Sequence, residues 1–374
     1  MIDDYWPRPD SDAGSIEIVN LAKALLSFGF EVRFVADREH RAVLRPESGR
    51  DLLAAHGVRC LGSAETASVG AYLEQEGSGI ALIILNRVWC GGRFMDQARL
   101  HCPEARIIFN TIDLHYVRIR REAVLRDDQA GLLAAQRTQE REQALASDAD
   151  ATFVVSTVDR DVLAAIAPLA NIEVLPLARE ICPPRTPFAG RWGIGFIGGF
   201  AHSPNVDAVS FFFRDVWQLV LRRIPNCEFS IVGEGLPAGM LDGQPGDVRY
   251  LGHLPNVTPW FESLRLTVAP IRFGSGMKGK VISSLVAGVP CVLTSMAAEG
   301  MGLSNGDGIL IADEPDHLAK LIAHVHGDAP VWSTLSTAAL AQAEGRFSPS
   351  AWRRSLADAL WTIDALPCAA AATP

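Results

Sequence analysis

The sequence predicts an α/β protein of two domains, each a doubly wound parallel sheet with helices on both faces. Three observations lead to this prediction. Short apolar strands alternate with amphipathic helical segments along the whole chain. A proline-rich stretch at residues 176–187 divides this alternation into two series. The length of 374 residues also suits two domains better than a single one.

The composition is that of an ordinary folded protein, and it restricts the partners. Apolar residues make up 48% and charged residues 21% of the chain, which excludes wholesale disorder. The formal net charge of −9 argues against general binding to nucleic acid or anionic membranes. Seven scattered cysteines and nine histidines without ligand spacing indicate reduced thiols in a cytoplasmic protein and no metal site.

We expect no signal peptide in this sequence, because no basic region precedes an apolar one near Met1. The longest uncharged stretch, 281–298, is long enough to cross a membrane. Gly288-Val289-Pro290 interrupts it, so we expect a helix, a turn and a strand there. The first apolar element, Met1-Ile2, is short for a buried strand, and we expect the chain to start inside its first strand.

In the first series, a helix is expected from Ile16 to the stop signal at Gly29. The other expected elements are strands at 30–35, 58–61, 80–85, 105–109 and 151–155, and helices at 51–56 and 118–147. The second series predicts strands at 194–197, 227–232, 248–251, 266–270 and 290–294, and helices at 205–224, 278–287, 315–326 and 352–363.

These elements define the expected domains. An N-terminal domain covers residues 1–178, a linker 179–190, and a C-terminal domain 191–346. The last helical region, 347–366, either closes the C-terminal domain or packs back on the N-terminal one, and the tail 367–374 is expected to be disordered.

Three glycine-rich loops lie where strands are expected to end, at 12–15, 198–205 and 274–280. Ligands bind beyond the carboxyl ends of strands in doubly wound sheets. The N–H groups at a helix start attract anions, and glycine lets a ligand approach the backbone. Arg272, Lys278 and Lys280 flank the third loop and indicate a phosphate-bearing ligand there. Neither the dinucleotide-binding Gly-x-Gly-x-x-Gly nor the P-loop pattern follows the first strand, which argues against an oxidoreductase or an NTPase.

The segments 269–294 and 298–302 resemble the donor-site signature of the retaining family 4 (group 1) glycosyltransferases, which have the GT-B fold. Segment 196–205 resembles the phosphate loop near the linker of these enzymes, and 248–252 with 254–261 resembles the strand and loop before the signature. Segments 10–15 and 113–118 resemble the acceptor-side loops of one branch, so that the similarity covers nearly the whole chain.

The resemblance implies two Rossmann-like domains that face each other across a cleft. It implies a nucleotide-diphosphate sugar donor on the C-terminal domain and a glycan or lipid-linked acceptor on the N-terminal domain. The sugar would be transferred with retention of configuration, as in polysaccharide biosynthesis, without a metal or other cofactor. A cytoplasmic location follows, with contact to a membrane periphery and the oligomeric state left open.

The resemblance and the residue chemistry together predict the site residues. His115, Lys280 and Arg272 are the expected catalytic residues, and Asp113 and Arg118 are expected on the acceptor side. The expected donor-binding residues are Gly14, Ser15, Gly198, Gly199, His202, Asn205, Gly274, Ser275, Gly276, Met277, Lys278, Ser283 and Glu299.

Two features depart from the family pattern. Ser275 and Ser283 stand where the family commonly has glutamates that bind the donor sugar and the ribose. Gly199 and the turn at 202–205 replace the usual Arg and Lys of the phosphate loop. Two alternatives therefore stay open: a degenerate sugar-nucleotide-binding or scaffolding domain of a larger protein, and a GT-B sugar-nucleotide epimerase.

Overall fold

A computed structural model describes residues 1–10, 12–40 and 48–366. The chain forms two compact units: the N-terminal unit comprises Met1–Pro176 and the chain from Arg353 onward, and the C-terminal unit comprises Leu177–Trp352. Each unit is built on one parallel sheet with helices packed around it. The predicted fold class is therefore confirmed. The predicted disordered tail, 367–374, lies outside the described residues.

The described residues of the N-terminal unit form a sheet of seven strands in the order β3-β2-β1-β4-β5-β6-β7. All neighbouring strands are parallel. The strands are β1 (Ile2–Asp3), β2 (Arg33–Ala36), β3 (Arg59–Leu61), β4 (Leu82–Asn86), β5 (Arg106–Asn110), β6 (Ala151–Val154) and β7 (Ile172–Val174). The strand order reverses between β1 and β4, and this point is where doubly wound sheets open a crevice.

Within the described part of the N-terminal unit, eight α-helices lie between these strands. They are α1 (Ala13–Ser27), α2 (Asp37–His40), α3 (Ser48–Ala55), α4 (Val69–Glu76), α5 (Met95–His101), α6 (His115–Arg126), α7 (Gln129–Asp148) and α8 (Thr157–Ala164). The single helix predicted over 118–147 is wrong, because α6 ends and the chain turns into α7. Asp127 takes a left-handed backbone (φ 52°), and its N–H closes α6 by donating to the carbonyls of Ala123 and Val124.

The sheet of the C-terminal unit has six parallel strands in the order β10-β9-β8-β11-β12-β13. The strands are β8 (Gly193–Ile197), β9 (Glu228–Val232), β10 (Asp247–Gly252), β11 (Leu264–Ala269), β12 (Cys291–Leu293) and β13 (Ile309–Ile311). Here the order reverses between β8 and β11. Both sheets thus repeat one topology, and the strands predicted from the alternation are present with ends shifted by a few residues.

The α-helices described in this unit are α9 (Ser203–Phe211), α10 (Trp217–Arg223), α11 (Thr258–Ser263), α12 (Gly279–Val286), α13 (Ser295–Ala298), α14 (Pro315–Gly327) and α15 (Ala329–Gln342). The continuous helix predicted over 205–224 is interrupted by a π-helical turn at Phe212–Val216. This wider turn places the rings of Phe212 and Trp217 against Phe229 of β9, with centroids 4.8 and 5.6 Å apart.

The last helix, α16 (Pro349–Trp361), belongs mostly to the N-terminal unit. The Arg353 guanidinium lies 5.5 Å from the centre of the Phe28 ring, at the end of α1. Beyond the helix, the Thr362 hydroxyl donates to Glu173 of β7 at 3.1 Å. Contacts to both the first helix and the last strand thus anchor the end of the described chain on this unit.

Among the described residues, no helix combines the length and the apolar character that crossing a membrane requires. The uncharged stretch 281–298 forms most of α12, then β12 and α13. The interpretation of this stretch as helix, turn and strand is confirmed.

Candidate functional site

The site in the C-terminal unit begins at the carboxyl ends of β8 and β11. These two strands are neighbours at the point where the strand order reverses. The loop that follows β8 contains Gly198 and Gly199 and leads into α9, and the loop that follows β11 contains 270–278 and leads into α12. Two of the three predicted glycine-rich loops therefore leave adjacent strands at the same edge of the sheet, where ligands of such sheets bind.

A hydrogen-bonded link joins these two loops. The Lys280 Nζ donates to Asn205 Oδ1 at 2.7 Å, and Asn205 Nδ2 donates to the carbonyl of Gly199 at 2.7 Å. A Cβ atom on Gly198 would lie 2.7 Å from Asn205 Nδ2, so only glycine leaves room for this amide. The structure thus brings together four predicted donor-site residues: Gly198, Gly199, Asn205 and Lys280.

The ammonium of Lys280 is in an unfavourable environment for a charge. Burial lowers the pKa of Lys280 to about 8, with a smaller contribution from the nearby Lys278. The centre of the Phe196 ring lies 5.5 Å from the ammonium, and this contact offsets part of the cost. A bound anion would stabilise the charged form of Lys280, because opposite charges attract strongly where water is scarce.

Lys278 has a different position from Lys280. It precedes the first residue of α12, its side chain is buried, and its Nζ donates to the carbonyls of Gly276 at 2.6 Å and Ser275 at 3.3 Å. Gly276 takes a left-handed backbone (φ 63°) that disfavours other residues. Lys278 therefore closes the loop that also contains Gly274 and Met277.

Arg272 is paired with an acid that the sequence analysis did not identify. Its guanidinium binds Asp207 of α9 through two hydrogen bonds, one of which joins Arg272 Nε to Asp207 Oδ2 at 2.9 Å. The Asp207 side chain is largely buried. The pair connects the third loop to α9, and the carboxylate cancels part of the positive charge that the sequence assigns to the phosphate site.

This pair leads to a prediction of moderate size. Asp207→Asn is expected to strengthen binding of a nucleoside diphosphate by about two- to fivefold at low salt, because the Arg272 charge is then uncompensated. Titration calorimetry at two salt concentrations measures it. Asp215→Asn is the matched control, since Asp215 pairs with the exposed Arg214 in the adjacent turn. If Asp207→Asn binds the ligand more weakly than the parent, the main role of Asp207 is to hold the third loop in place through Arg272.

The other predicted donor residues lie around this edge in different settings. The Ser283 hydroxyl donates to the Gly279 carbonyl of its own helix at 3.0 Å. His202 is exposed and immediately precedes α9, while Glu299 follows α13 beyond β12. Ser283 is therefore directed to the backbone of α12, and His202 and Glu299 lie at the ends of two further helices.

In the N-terminal unit, the first turn of α1 and the loops after β4 and β5 converge at the point where the strand order reverses. A Cβ atom on Gly14 would lie 2.8 Å from Ile112 Cγ2 and 3.0 Å from Arg87 Nη2. Gly14 is the second residue of α1, Arg87 follows β4 and Ile112 follows β5. Both Arg87 (φ 62°) and Ile112 (φ 64°) have left-handed backbones, and such strain in non-glycine residues concentrates at functional sites.

Arg87 links this edge of the sheet to the first helix. Its Nη1 binds Asp3 Oδ2 at 2.9 Å and its Nη2 lies 3.5 Å from Asp12 Oδ1. Asp12 caps α1, where it accepts hydrogen bonds from the Ser15 N–H at 2.8 Å and the Ser15 hydroxyl at 2.6 Å. The predicted residue Ser15 is thus engaged by Asp12. Burial raises the pKa of Asp3 to about 6, although Arg87 opposes this shift.

The predicted catalytic residue His115 and the two predicted acceptor-side residues, Asp113 and Arg118, form one network at the start of α6. His115 Nε2 lies 3.1 Å from Asp113 Oδ1, and Arg118 Nε lies 3.0 Å from Asp113 Oδ2. A fourth residue, Glu142 of α7, accepts hydrogen bonds from the backbone N–H groups of His115 and Tyr116. The imidazole is therefore oriented by a carboxylate, an arrangement that sets which ring nitrogen carries the proton.

Sequence analysis missed Asp207, Arg87 and Glu142. A signal for Glu142 exists in the sequence, because it falls on the helical stripe of α7 that is otherwise small or apolar and buried: Ala135, Thr138, Leu145 and Ala146. Arg87 is the first charged residue after a buried strand, which is also a readable signal. No sequence feature singles out Asp207.

Comparison with known families identifies the C-terminal unit. Residues 191–328 match the family model of glycosyl transferases group 1. The C-terminal unit contains a glycosyltransferase group 1 domain. The resemblance to group 1 glycosyltransferases is confirmed for this unit. No curated protein matches the chain.

Solved structures share the fold of the chain. Sucrose-phosphate synthase from Thermosynechococcus elongatus is 14% identical with a TM-score of 0.71, and the match covers 94% of each chain. HepE from Anabaena in complex with UDP-glucose is 14% identical with a TM-score of 0.67, and the match covers 95% of this chain and 97% of that one. These likenesses confirm the GT-B fold.

TarM of S. aureus, solved in complex with fondaparinux, alpha-GlcNAc-glycerol and UDP, is also similar. It is 14% identical with a TM-score of 0.61, and the match covers 78% of this chain. The chain spans only 57% of the length of that protein.

Proposed function

We propose that the group 1 domain binds a nucleotide-diphosphate sugar and that the protein transfers the sugar, with retention of configuration, to a glycan or lipid-linked acceptor without a metal ion. The observation that carries the proposal is the Lys280–Asn205–Gly199 link, which lies at the reversal point of a group 1 domain. HepE, which shares the fold, is solved with UDP-glucose, and this sugar nucleotide is the first donor to test.

The chemistry follows from the charge that develops in the reaction. When the bond between the sugar and the diphosphate breaks, negative charge builds on the departing phosphate. The Lys280 ammonium and the N–H groups in the first turn of α12 are positioned to stabilise that charge, which is electrostatic catalysis by preorganised groups. Lys278 contributes by holding the loop closed. Arg272 contributes the part of its positive charge that the Asp207 carboxylate does not neutralise.

On the acceptor side, we assign His115 and Asp113 of the N-terminal unit to the reacting hydroxyl and sugar. The carboxylate holds the imidazole, and a positioned imidazole can hydrogen-bond to the reacting groups or transfer a proton during the reaction. The resemblance assigns Gly14 to the donor, and within its own unit glycine is required there because a Cβ atom would clash with Ile112 and Arg87. A cytoplasmic enzyme that reaches lipid-linked acceptors at a membrane periphery is consistent with this proposal.

The deciding experiment is a donor screen. The full chain is incubated with UDP-glucose and other nucleotide sugars, and release of the nucleoside diphosphate is followed. NMR of the product then gives the anomeric configuration. Release with a retained product supports the proposal, whereas the absence of both binding and hydrolysis for every donor contradicts it.

A degenerate sugar-nucleotide-binding domain is the second candidate. Two serines stand at the usual glutamate positions, and the Ser283 hydroxyl is directed to its own helix. A hydroxyl also lacks the charged, two-oxygen acceptor that binds a ribose well. UDP binding without turnover of any donor would favour this candidate. Interconversion of free nucleotide sugars without an acceptor would indicate an epimerase.

The pH dependence of UDP binding is the next prediction. Because the pKa of Lys280 in the free protein is lowered to about 8, the lysine is charged below that pH and loses its proton above it. The charged form binds phosphate, so UDP affinity should fall about tenfold from about pH 7.5 to about pH 9. The diphosphate itself is fully ionised throughout this range.

Calorimetry across this range measures the effect. Lys280→Gln is the control, and its much weaker affinity should stay flat over the same pH range. A parent affinity that does not change between the two pH values would place Lys280 away from the diphosphate.

A further inference from the structure

Glu142 of α7 is a buried carboxylate at the start of another helix. Its side chain is fully buried. Its Oε1 accepts the N–H of His115 at 2.8 Å, and its Oε2 accepts the N–H of Tyr116 at 3.1 Å. These N–H groups are the first two of α6. Both oxygens of one carboxylate are thus used on one helix terminus.

The usual local cap of a helix is missing at α6. The residue before the helix is Leu114, whose side chain makes no capping hydrogen bond. Helices commonly use Ser, Thr, Asp or Asn at this position. Here the cap comes from a residue 27 positions later, on the helix that packs against α6. Such a cap fixes where the start of α6 lies relative to α7.

Burying a carboxylate costs free energy of folding, which indicates that Glu142 has a specific role at this position. Burial raises the pKa of Glu142 to about 7, although the His115 charge and the two N–H donors oppose the shift. A neutral serine cap on α6 itself would stabilise the helix start without burying an ionisable group. The arrangement instead puts a carboxylate directly against the backbone of His115.

The segment that Glu142 holds is the one that carries the acceptor-side residues. Ile112, three residues before His115, has the strained left-handed backbone, and Asp113 pairs with the His115 imidazole. A strained loop persists only where neighbouring contacts hold it. The two N–H bonds to Glu142 are contacts of this kind.

We propose that Glu142 is a positioning residue for the reaction: it holds the backbone of His115 so that the imidazole stays paired with Asp113. Glu142 acts through His115 and does not itself contact the substrate. The inference rests on the proposed transferase function for its kinetic consequence, whereas its geometric part concerns His115 alone and can be measured without any substrate.

The test compares Glu142→Gln and Glu142→Asp with the parent in the full chain. An amide has only one oxygen acceptor, so Glu142→Gln presents a donor to one of the two N–H groups. Glu142→Asp keeps both acceptor oxygens at a shorter reach. Glu140→Gln is the matched control, because Glu140 lies on the same helix, is exposed, and accepts a hydrogen bond from Gln136 one turn earlier.

Two measurements are made on each variant. The ring resonances of His115, assigned through their loss in His115→Asn, report its geometry by NMR. Hydrolysis of UDP-glucose reports turnover. For Glu142→Gln we expect shifted His115 resonances and a roughly tenfold lower kcat at an unchanged KM for UDP-glucose, since one charge-assisted hydrogen bond is lost. Glu142→Asp should have His115 resonances closer to those of the parent and should recover part of kcat. Glu140→Gln should match the parent in both measurements.

Each possible outcome of these measurements supports or contradicts the positioning role of Glu142. If Glu142→Gln leaves the His115 resonances in place and lowers only the melting temperature, Glu142 has a structural role alone and the proposal is overturned. If Glu142→Gln does not fold, Glu142→Asp provides the same comparison. If the parent itself does not turn over UDP-glucose, that result counts against the proposed donor, and the resonances still decide the role of Glu142.

Discussion

Replacing Lys280 by methionine is expected to weaken UDP binding by about 10- to 100-fold at low salt, with the fold intact. Methionine keeps most of the apolar stem but removes the ammonium. A charge-assisted contact to phosphate contributes about 1.5–3 kcal/mol, which corresponds to this range of affinity. Calorimetry with UDP and the melting temperature together measure the effect, and added salt should reduce the difference between parent and variant.

Lys278→Met is the informative comparison for this prediction. Its ammonium already binds the carbonyls of Gly276 and Ser275, so we expect a loss of affinity of about threefold or less and a clearer fall in melting temperature. Lys320→Met serves as the control, because Lys320 is exposed on α14 and pairs with Asp316. If neither the Lys280 nor the Lys278 variant loses affinity at low salt, the phosphate does not bind at the start of α12.

The second large effect is expected at His115. His115→Ala should lower the rate of sugar transfer by about 100- to 1000-fold, in the range found when a positioned proton-transfer or hydrogen-bonding group is removed. UDP affinity should change by less than about twofold, because the diphosphate is proposed to bind residues of the C-terminal unit. Initial rates with saturating donor, together with UDP calorimetry, separate the two quantities.

A second histidine of the same unit provides the control for the His115→Ala experiment. His56 follows α3 in the same unit and is exposed, so His56→Ala should behave like the parent. His115→Asn keeps a hydrogen-bonding group without the imidazole ring, and an intermediate rate would indicate that hydrogen bonding contributes besides proton transfer. A His115→Ala enzyme with parental rates would remove His115 from the reaction and leave it as a structural residue beside Asp113.

The two units repeat one strand order with opposite chemistry at the reversal point. In the C-terminal unit, the edge carries the Lys280 ammonium and glycine loops that suit an anion. In the N-terminal unit, the same edge carries Asp3 and Asp12 around Arg87, and Asp113 around His115. This difference agrees with an anionic donor on one unit and a neutral hydroxyl acceptor on the other.

Much of the architecture could be predicted from the sequence. Buried parallel strands are nearly continuous apolar runs, and a strand such as 194–197 is recognised because glycines and polar residues border it. Helix ends were less accurate. The turn at Asp127 was missed because an aspartate took the left-handed conformation that glycine usually signals. The π-helical turn at Phe212–Val216 was missed because nothing in a helical period marks an inserted residue.

The two α/β units, the glycine loops at the strand ends and the lysines at the start of α12 can be read from the residues alone, since apolar periodicity and helix-terminus chemistry are local properties. The pairings become visible only in the folded chain: Lys280 with Asn205, Arg272 with Asp207 and His115 with Glu142. Each pair joins residues 27 to 75 positions apart. The physical reason is that a side chain's partner depends on which strand ends and helices become neighbours, and this neighbourhood arises from packing over the whole sheet.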